Sequence, residues 1–471
     1  MADMERPTFV IVGGGLAGSL TACYLGKRGY EVDVYEMRDD LRVSEIGRGR
    51  SINLALSYRG LCALEPVGLA DEVLKQAVPM RGRMIHSPAG ELAFQSYGVE
   101  QSQAINSVSR GGLNGILLTA AERYPSVQLH FGEKCTDVDL DAGEVEFVHA
   151  GTGEHSRVRG DVIVSADGAF SAVRKACQKR ERFNYSQDYL EHGYKELTIP
   201  PAAGGGFALE KNALHIWPRR SFMMIALPNA DGSFTCTLFW PFGGPNSFAA
   251  IKTKSDLLAF FEAEFPDAVP LVPNLAADYF GNPTGSLVTI RCSPWHVEDR
   301  VVLLGDAAHA VVPFYGQGMN AAFEDVLVLD ECLRSAFPSR DRDPSRDREG
   351  AVAAADARWS DELRRAFQEF EALRKPNADA LADLAVANFI EMRDRTGSRW
   401  FLLKKKGEKL LAKLLPGWYL PLYSMVTFTR IPYAEAVARA RKQNRTVALV
   451  AAVLGAIVLG IVAATRVANG Q

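Results

Sequence analysis

The sequence predicts an α/β chain: a parallel-stranded domain of βαβ type, a second domain built on an antiparallel sheet, a helical C-terminal region and a C-terminal transmembrane helix. Three observations predict it. A strand, a glycine turn, a helix and a second strand follow one another over residues 8–35. β-rich stretches at 214–227 and 234–240 flank the turn residues Pro228, Asn229, Asp231 and Gly232. A run without any charge occupies residues 447–464.

Size and charge narrow the function. At 471 residues and 47% hydrophobic, the chain is long enough for two or three domains with their own cores. A formal charge of -3 with both signs interspersed lacks the footprint of a nucleic-acid binder, so no nucleic-acid partner is expected. The seven cysteines, Cys23, Cys62, Cys135, Cys177, Cys236, Cys292 and Cys332, are scattered and never spaced C-x-x-C. That pattern fits free thiols in a reducing compartment better than disulfides or a metal site. The first apolar run, residues 9–12, is short and leads into glycines, so no secretory signal is expected.

The opening strand, residues 8–12, delivers the chain to Gly13-Gly14-Gly15-Leu16-Ala17-Gly18, a G-x-G-x-x-G pattern ahead of a helix at 19–28. Bare glycine backbone lets a pyrophosphate approach the helix N-terminus and its dipole. Alone the pattern is weak. Glu36 adds weight, because it ends the second strand about 20 residues on, where a carboxylate can accept hydrogen bonds from ribose hydroxyls. A dinucleotide site follows. Gly49-Arg50-Ser51-Ile52-Asn53-Leu54-Ala55-Leu56-Ser57 then alternates apolar with small or polar residues after the flexible, cationic Gly47-Arg48. This strand either packs as ordinary core or lines an anionic ligand.

A hydrophobic strand at 161–164 carries Asp167-Gly168 into a turn and sets Ser171 and Arg174 at a helix start, though any strand-turn-helix has that form. Residues 301–325 set Asp306 after another strand, and Gly316-Gln317-Gly318 before a helix whose apolar period covers 320–333. The charged, low-complexity stretch 338–347 reads as a solvated loop. Stretches 351–393 and 410–441 read as helical, broken at Pro376 and around Pro416-Gly417. Between them Lys404-Lys405-Lys406 reads as a solvated or membrane-proximal face. The run 447–464 spans ~27 Å at ~1.5 Å per residue, close to the hydrocarbon thickness of a bilayer. Arg439, Arg441, Lys442 and Arg445 crowd its N-terminal side, which by the positive-inside bias leaves the large N-terminal part in the cytosol. A buried core helix or an oligomer-forming helix is the competing reading.

Together the glycine turn, the Asp-Gly segment and the later Gly-Asp segment resemble the single-component FAD-dependent aromatic hydroxylases. Met80-Arg81-Gly82-Arg83-Met84, His192-Gly193-Tyr194-Lys195-Glu196-Leu197, Asn212-Ala213-Leu214-His215-Ile216-Trp217-Pro218, Asn388-Phe389-Ile390-Glu391-Met392 and Pro421-Leu422-Tyr423-Ser424-Met425-Val426-Thr427-Phe428 narrow the likeness. With them the chain is similar to the kynurenine 3-monooxygenase family over residues 9–441, and its tail to that of the membrane-anchored members.

The resemblance implies a FAD-binding Rossmann-like fold: a discontinuous FAD domain over 1–80, 103–180 and 290–335, a substrate domain over 81–102 and 181–289, a helical region over 350–445 and an anchor over 446–465. It implies that FAD lies on Gly13, Gly15, Leu16, Ala17 and Gly18, with Glu36 on the adenosine ribose, Arg110 on the FAD backbone and Asp306 on the ribityl chain. Arg38, Ala55, Gly318, Met319 and Asn320 are further cofactor contacts by the same likeness, the strand through Ala55 packing beside the flavin. Asp167 and Arg174 would serve FAD and the pyridine nucleotide. A helix N-terminus at Gly318 would favour negative charge developing on a reduced flavin ring.

The implied substrate is L-kynurenine, whose carboxylate Arg83 would grip as a bidentate fork, helped by the Tyr97 and Tyr423 hydroxyls, with Asn388 and Glu391 at the polar end. Phe314 and Tyr315 would border the pocket, Tyr315 standing where other members carry His or Phe. Read without the family, Arg83 is a surface ion-pair partner and the tyrosines are core residues. The implied chemistry is hydride transfer from NADPH to FAD, addition of O2 to give a flavin hydroperoxide, and attack on the ring carbon ortho to the amine, forming 3-hydroxykynurenine. No residue is then required as a base, and His215 and His309 have no catalytic part. NADPH would visit transiently, since no second G-x-G-x-x-G unit is present. The anchor would sit in a mitochondrial outer membrane or a bacterial inner membrane, and the oligomeric state is open. The alternatives are a membrane-bound FAD-dependent reductase or epoxidase acting on a quinone or isoprenoid lipid, and a flavin-binding scaffold.

Overall fold

A computed structural model describes residues 6–43, 53–98, 103–337, 352–394, 407–408 and 410–468. The first part of the Gly49–Ser57 stretch with the glycine-arginine run before it, the charged segment 338–350 and Lys404-Lys405-Lys406 lie outside the described residues.

Strands Phe9–Val12, Val32–Glu36, Val127–Phe131, Val162–Ser165 and Val301–Leu303 run parallel in one six-stranded sheet, with only the edge strand His296–Val297 antiparallel. The apolar, fully buried runs of Phe9–Val12, Val162–Ser165 and Val301–Leu303 suit strands covered on both faces, whereas Val127–Phe131, at the sheet edge, carries Gln128 and His130. Helices Leu16–Lys27 and Gly318–Ala336 pack together within the same core. Phe9–Val12, Val162–Ser165 and Val301–Leu303 are immediate neighbours, so their C-terminal ends deliver the glycine turn, Asp167 and Asp306 to one edge. Ligands of open parallel sheets bind at that edge.

A seven-stranded sheet forms the second body, in the order Gly285–Ser293, Asn184–Ile199, Phe234–Pro241, Phe222–Pro228, Ala213–Arg219, Gly82–His86 and Leu92–Ser96. The stretch expected as one strand region at 214–227 is two strands. Arg220 turns the chain at φ 59° and pairs Arg219 with Phe222, a hairpin that lacks the glycine or asparagine by which such turns are recognised. One face of the sheet packs on helix Lys254–Glu264 through Trp217, Trp240, Phe222, Phe261 and Phe265. The other turns Ile216, Met223 and Phe239 toward Phe314 and Phe389.

The expected break at Pro376 does not occur: helix Val352–Asp394 runs through it. A proline removes an amide donor and crowds the preceding turn. Here the Asn377 side-chain amide donates to the Leu373 carbonyl at 2.6 Å, a further tie across the turn that holds the proline. The break around Pro416-Gly417 is present, and a further one at 429–432 separates Leu422–Phe428 from the last helix, Tyr433–Ala468. That helix has two environments. Tyr433, Ala436, Ala440 and Gln443 are buried, whereas Leu449, Val453, Leu454, Ile457 and Ile461 are exposed. Residues Tyr433–Ile461 are long and apolar enough to cross a membrane, and the apolar window is not buried inside the protein. The reading of this run as a core helix is thereby overturned.

Candidate active site

Three loops meet at the sheet edge at van der Waals distance. A Cβ on Gly13, where φ is +102°, would lie 2.5 Å from the Ala166 carbonyl oxygen, and one on Gly18 would lie 1.9 Å from that of Gly13. A Cβ on Gly305, where φ is +54°, would lie 3.1 Å from the Ala322 methyl and 3.4 Å from that of Ala17. The first segment therefore touches both the second and the third. Gly15 is different: a Cβ there meets nothing within 4 Å, so its backbone faces open space. Glu36 closes this end, accepting the Gly14 amide at 2.9 Å and the Arg38 amide and Nε at 3.1 and 2.7 Å. Ser19 and Asn114 hold the turn from behind through the Gly14 carbonyl.

Two longer helices begin here without a side-chain cap, Leu16–Lys27 after Gly15 and Gly318–Ala336 after Gln317. Ser109 and Ser171, by contrast, cap the helices that follow them. Uncapped N-termini keep amide donors and positive dipole ends for a ligand. Asp306 has an accessible side chain in a setting densely enclosed by protein, the condition of a residue lining an internal cleft. Burial lifts its carboxyl above the usual range, against the nearby charges of His309 and Arg110. Asn320 donates to the Ala55 carbonyl at 2.8 Å and accepts from the Ser57 amide at 2.9 Å, fastening the strand Asn53–Leu56 to the start of the later helix. The glycine cradle, free helix ends, Glu36 and Asp306 fit FAD. Leu16, Ala17, Gly318 and Met319 stand half-buried along the same edge.

Not every expected cofactor residue points outward. Asp167 accepts from the Ser165 hydroxyl and the Ala172 amide, both at 2.7 Å, and so braces the strand-to-helix turn. Arg174 is buried, donating to the carbonyls of Ala307 and Ala169. Arg174 thereby ties the Asp-Gly segment to the Asp306 segment. Asn53 is likewise held by protein groups, Ser107, Pro228 and Asn229, while Leu54 and Leu56 face the core.

Arg83 lies on strand Gly82–His86 between two phenols. Its guanidinium carbon is 5.5 Å from the Tyr97 ring centroid and 5.1 Å from that of Tyr423, and these rings stack 5.5 Å apart. Tyr315 joins them, 5.8 Å from Tyr423. The Arg83 Nε is buried without a hydrogen-bond partner. Burial keeps the Tyr97, Tyr315 and Tyr423 hydroxyls well above the usual tyrosine range, so each is a neutral donor. Ala55 packs in the same cluster as Tyr97 and Tyr423. Gly316, one residue beyond Tyr315, would touch the Ala55 methyl at 3.2 Å through a Cβ. The cation and its phenols therefore adjoin the strand Asn53–Leu56.

Phe314 stacks on Phe389 at 4.2 Å and tilts against Phe239 at 4.9 Å, forming an apolar wall. Asn388 sits behind it and donates to the Phe314 carbonyl at 2.6 Å. Glu391 acts on the Tyr315 hydroxyl electrostatically.

A buried ionic cluster escaped the sequence reading. Arg59 pairs with Glu324 at 2.5 Å, Arg374 with Glu324 at 2.6 Å and with Asp325 at 2.7 Å, and His309 with Asp325 at 2.5 Å. Arg59 also lies over the Tyr433 ring at 4.1 Å, and the Tyr433 hydroxyl donates to Gln317 at 3.1 Å. The adjacent acids Glu324-Asp325 inside an apolar helical period were its only local signal. His309 is thus a structural ion-pair member. His215 is held neutral, its pKa lowered to about 4 by burial, between His86 and the Glu210 carbonyl.

The FAD binding domain family matches residues 6–220 and 283–339. A kynurenine 3-monooxygenase of Myxococcus xanthus is 50% identical over 433 residues, covering 92% of this chain and 88% of the relative. The chain belongs to the kynurenine 3-monooxygenase family. Members from Salinispora tropica, at 48% identity over 98% of both chains, and Sus scrofa, at 45% over 95% of this chain and 89% of the relative, agree. Among solved structures, 2-methyl-3-hydroxypyridine-5-carboxylic acid oxygenase superimposes with a TM-score of 0.63 at 20% identity, covering 83% of this chain and 94% of that one. The p-nitrophenol 4-monooxygenase of Pseudomonas putida gives 0.60 at 20% identity, covering 86% and 94%. These two share the fold with the kynurenine 3-monooxygenase family.

Proposed function

We propose that the chain hydroxylates L-kynurenine to 3-hydroxykynurenine with FAD, NADPH and O2. Family membership supports the reaction, and the observation that carries the substrate reading is the half-buried Arg83 guanidinium, whose buried Nε has no hydrogen-bond partner, between two neutral phenols. A guanidinium desolvated in this way is completed by a carboxylate, which an α-amino acid supplies and a quinone or isoprenoid lacks. In this reading Arg83 binds the carboxylate, while Tyr97 and Tyr423 donate to it and fix its angle. Glu391 lines the polar end, and Asn388 acts from behind by holding the Phe314 carbonyl. Phe239, Phe314 and Phe389 hold the aromatic ring and exclude water from it.

FAD, when bound, supplies the redox and oxygen-transfer chemistry. The residues proposed to hold it are Gly13, Gly15, Leu16, Ala17 and Gly18 under the pyrophosphate, Glu36 and Arg38 at the ribose, and Arg110 and Asp306 along the chain between the rings. Ala55, Gly318, Met319 and Asn320 are assigned to the ring, and Asp167 to bracing the turn beneath it.

The last helix is read as a bilayer anchor. Arg439, Arg441, Lys442 and Arg445 precede the apolar run and keep the catalytic body on the cytosolic side. The decisive test is NADPH consumption by the purified FAD-loaded protein. L-kynurenine is expected to stimulate it, with a product one oxygen heavier by mass spectrometry. Stimulation by a quinone without oxygen uptake would overturn the proposal in favour of a lipid reductase.

A further inference from the structure

Beside the last helix lies a second apolar surface that neither the fold nor the active site uses. Residues 410–414 are helical, and Leu410, Leu414, Leu415 and Trp418 are 57%, 66%, 44% and 44% exposed. Single exposed apolar residues are ordinary, but four large ones within nine positions form a patch. Leu410 and Leu414 lie one turn apart on this short helix, Leu415 and Trp418 follow at its end and in the turn beyond it, and Lys413 supplies a cation beside them.

The location of this surface is fixed by two hydrogen bonds. Gln443 Nε2 donates to the Trp418 carbonyl at 2.5 Å, and Arg439 Nη2 donates to the Gly417 carbonyl at 3.3 Å. Both donors belong to helix Tyr433–Ala468, whose uncharged run begins at Val447. Gln443 precedes that run by one helical turn, about 6 Å along the axis. Trp418 is thus held at the depth where the apolar half of the helix leaves the protein, the level at which tryptophans gather at membrane-water boundaries. Arg439, Arg441, Lys442 and Arg445 stand at the same level on the helix.

We infer that residues 410–418 form an in-plane membrane-docking surface, with Leu410, Leu414, Leu415 and Trp418 set into the headgroup-acyl boundary of the bilayer the last helix enters. The occupant is lipid. The patch is tied to the helix one turn ahead of its apolar run, and the surrounding cations complement an anionic leaflet, as in interfacial elements that lie along a membrane. The inference rests on the reading of the last helix as an anchor and adds a second attachment beside it.

The test uses the full-length, FAD-loaded protein in vesicles of phosphatidylcholine with a minority of phosphatidylglycerol. Flotation reports the anchor, and tryptophan quenching by lipids brominated near the headgroup end of the acyl chain reports the patch. Trp418→Phe separates the Trp418 emission from the other tryptophans. Flotation together with quenching that disappears in W418F is the expected result. Flotation with quenching unchanged by W418F would overturn the docking surface and leave the anchor standing. Failure to float would overturn both. Emission from Trp418 that varies with protein concentration in detergent, without lipid quenching, would assign the patch to a second copy of this chain and overturn the proposal.

Discussion

Arg83 illustrates how much a single side chain can carry. It is enclosed by Tyr97 and Tyr423 and has a buried Nε without a partner. Arg83→Ala is expected to weaken kynurenine binding by about 2–5 kcal/mol, the range for truncating one member of a buried charged pair. FAD content should be unaffected, because Arg83 stands on the substrate-domain strand. Titration of the bound flavin signal with L-kynurenine measures this, and unchanged affinity would remove Arg83 from the site. Arg83 was legible only through the family likeness. Its partners come from positions 97, 315 and 423, so no local spacing announces the cage. The glycine turn was legible directly, because Gly13 and Gly18 answer constraints set by their immediate neighbours.

At the scale of elements, Asn377 links two helices. Its amide donates to the Leu373 carbonyl beside Pro376, and its Oδ1 accepts the Ala434 amide at 3.0 Å, in the first turn of the last helix. Asn377→Ala should destabilise the protein by about 1–3 kcal/mol, as buried polar groups lose their partners. Its midpoint in chemical denaturation, followed by tryptophan fluorescence, should fall. The expectation that proline ends a helix failed here: Pro376 removes a single amide donor, and the helix continues through it with the adjoining turn tied by Asn377.

The ionic cluster gives a pH dependence. Burial alone would lower the His309 pKa, but Asp325 outweighs it and raises it above 6.5. The pairing therefore stabilises fully below about pH 6.5 and is lost as pH rises through the raised folded value. Asp325 is lowered despite its burial, by His309 and Arg374, so its contribution is present above 3.8 and is lost as pH falls through the depressed folded value. His309→Gln should flatten the decline of stability on the alkaline side and weaken the acid-side loss without abolishing it, because Arg374 still holds Asp325 down, as measured by denaturation midpoints across pH.

For the whole molecule, the fold class was readable because each parallel strand carries its own turn signal, whereas the joining of the last helix to the site was not. Tyr433 bonds Gln317, one residue before Gly318, and lies under Arg59. A chain ending after Thr446 should become extractable from membranes by salt and high pH, losing integral insertion, yet keep its flavin and kynurenine-stimulated NADPH oxidation. A chain ending before Tyr433 should lose flavin, read from flavin absorbance per protein. The last helix has no glycine or proline from Ala434 to Leu454, so in the anchor reading proposed above it would join body and bilayer without a swivel. The attitude of the catalytic body over the lipid plane is then a matter of helical phase. Inserting one alanine between Arg445 and Val447 would turn the whole body by about 100° around the axis, presenting a different flank to the headgroups.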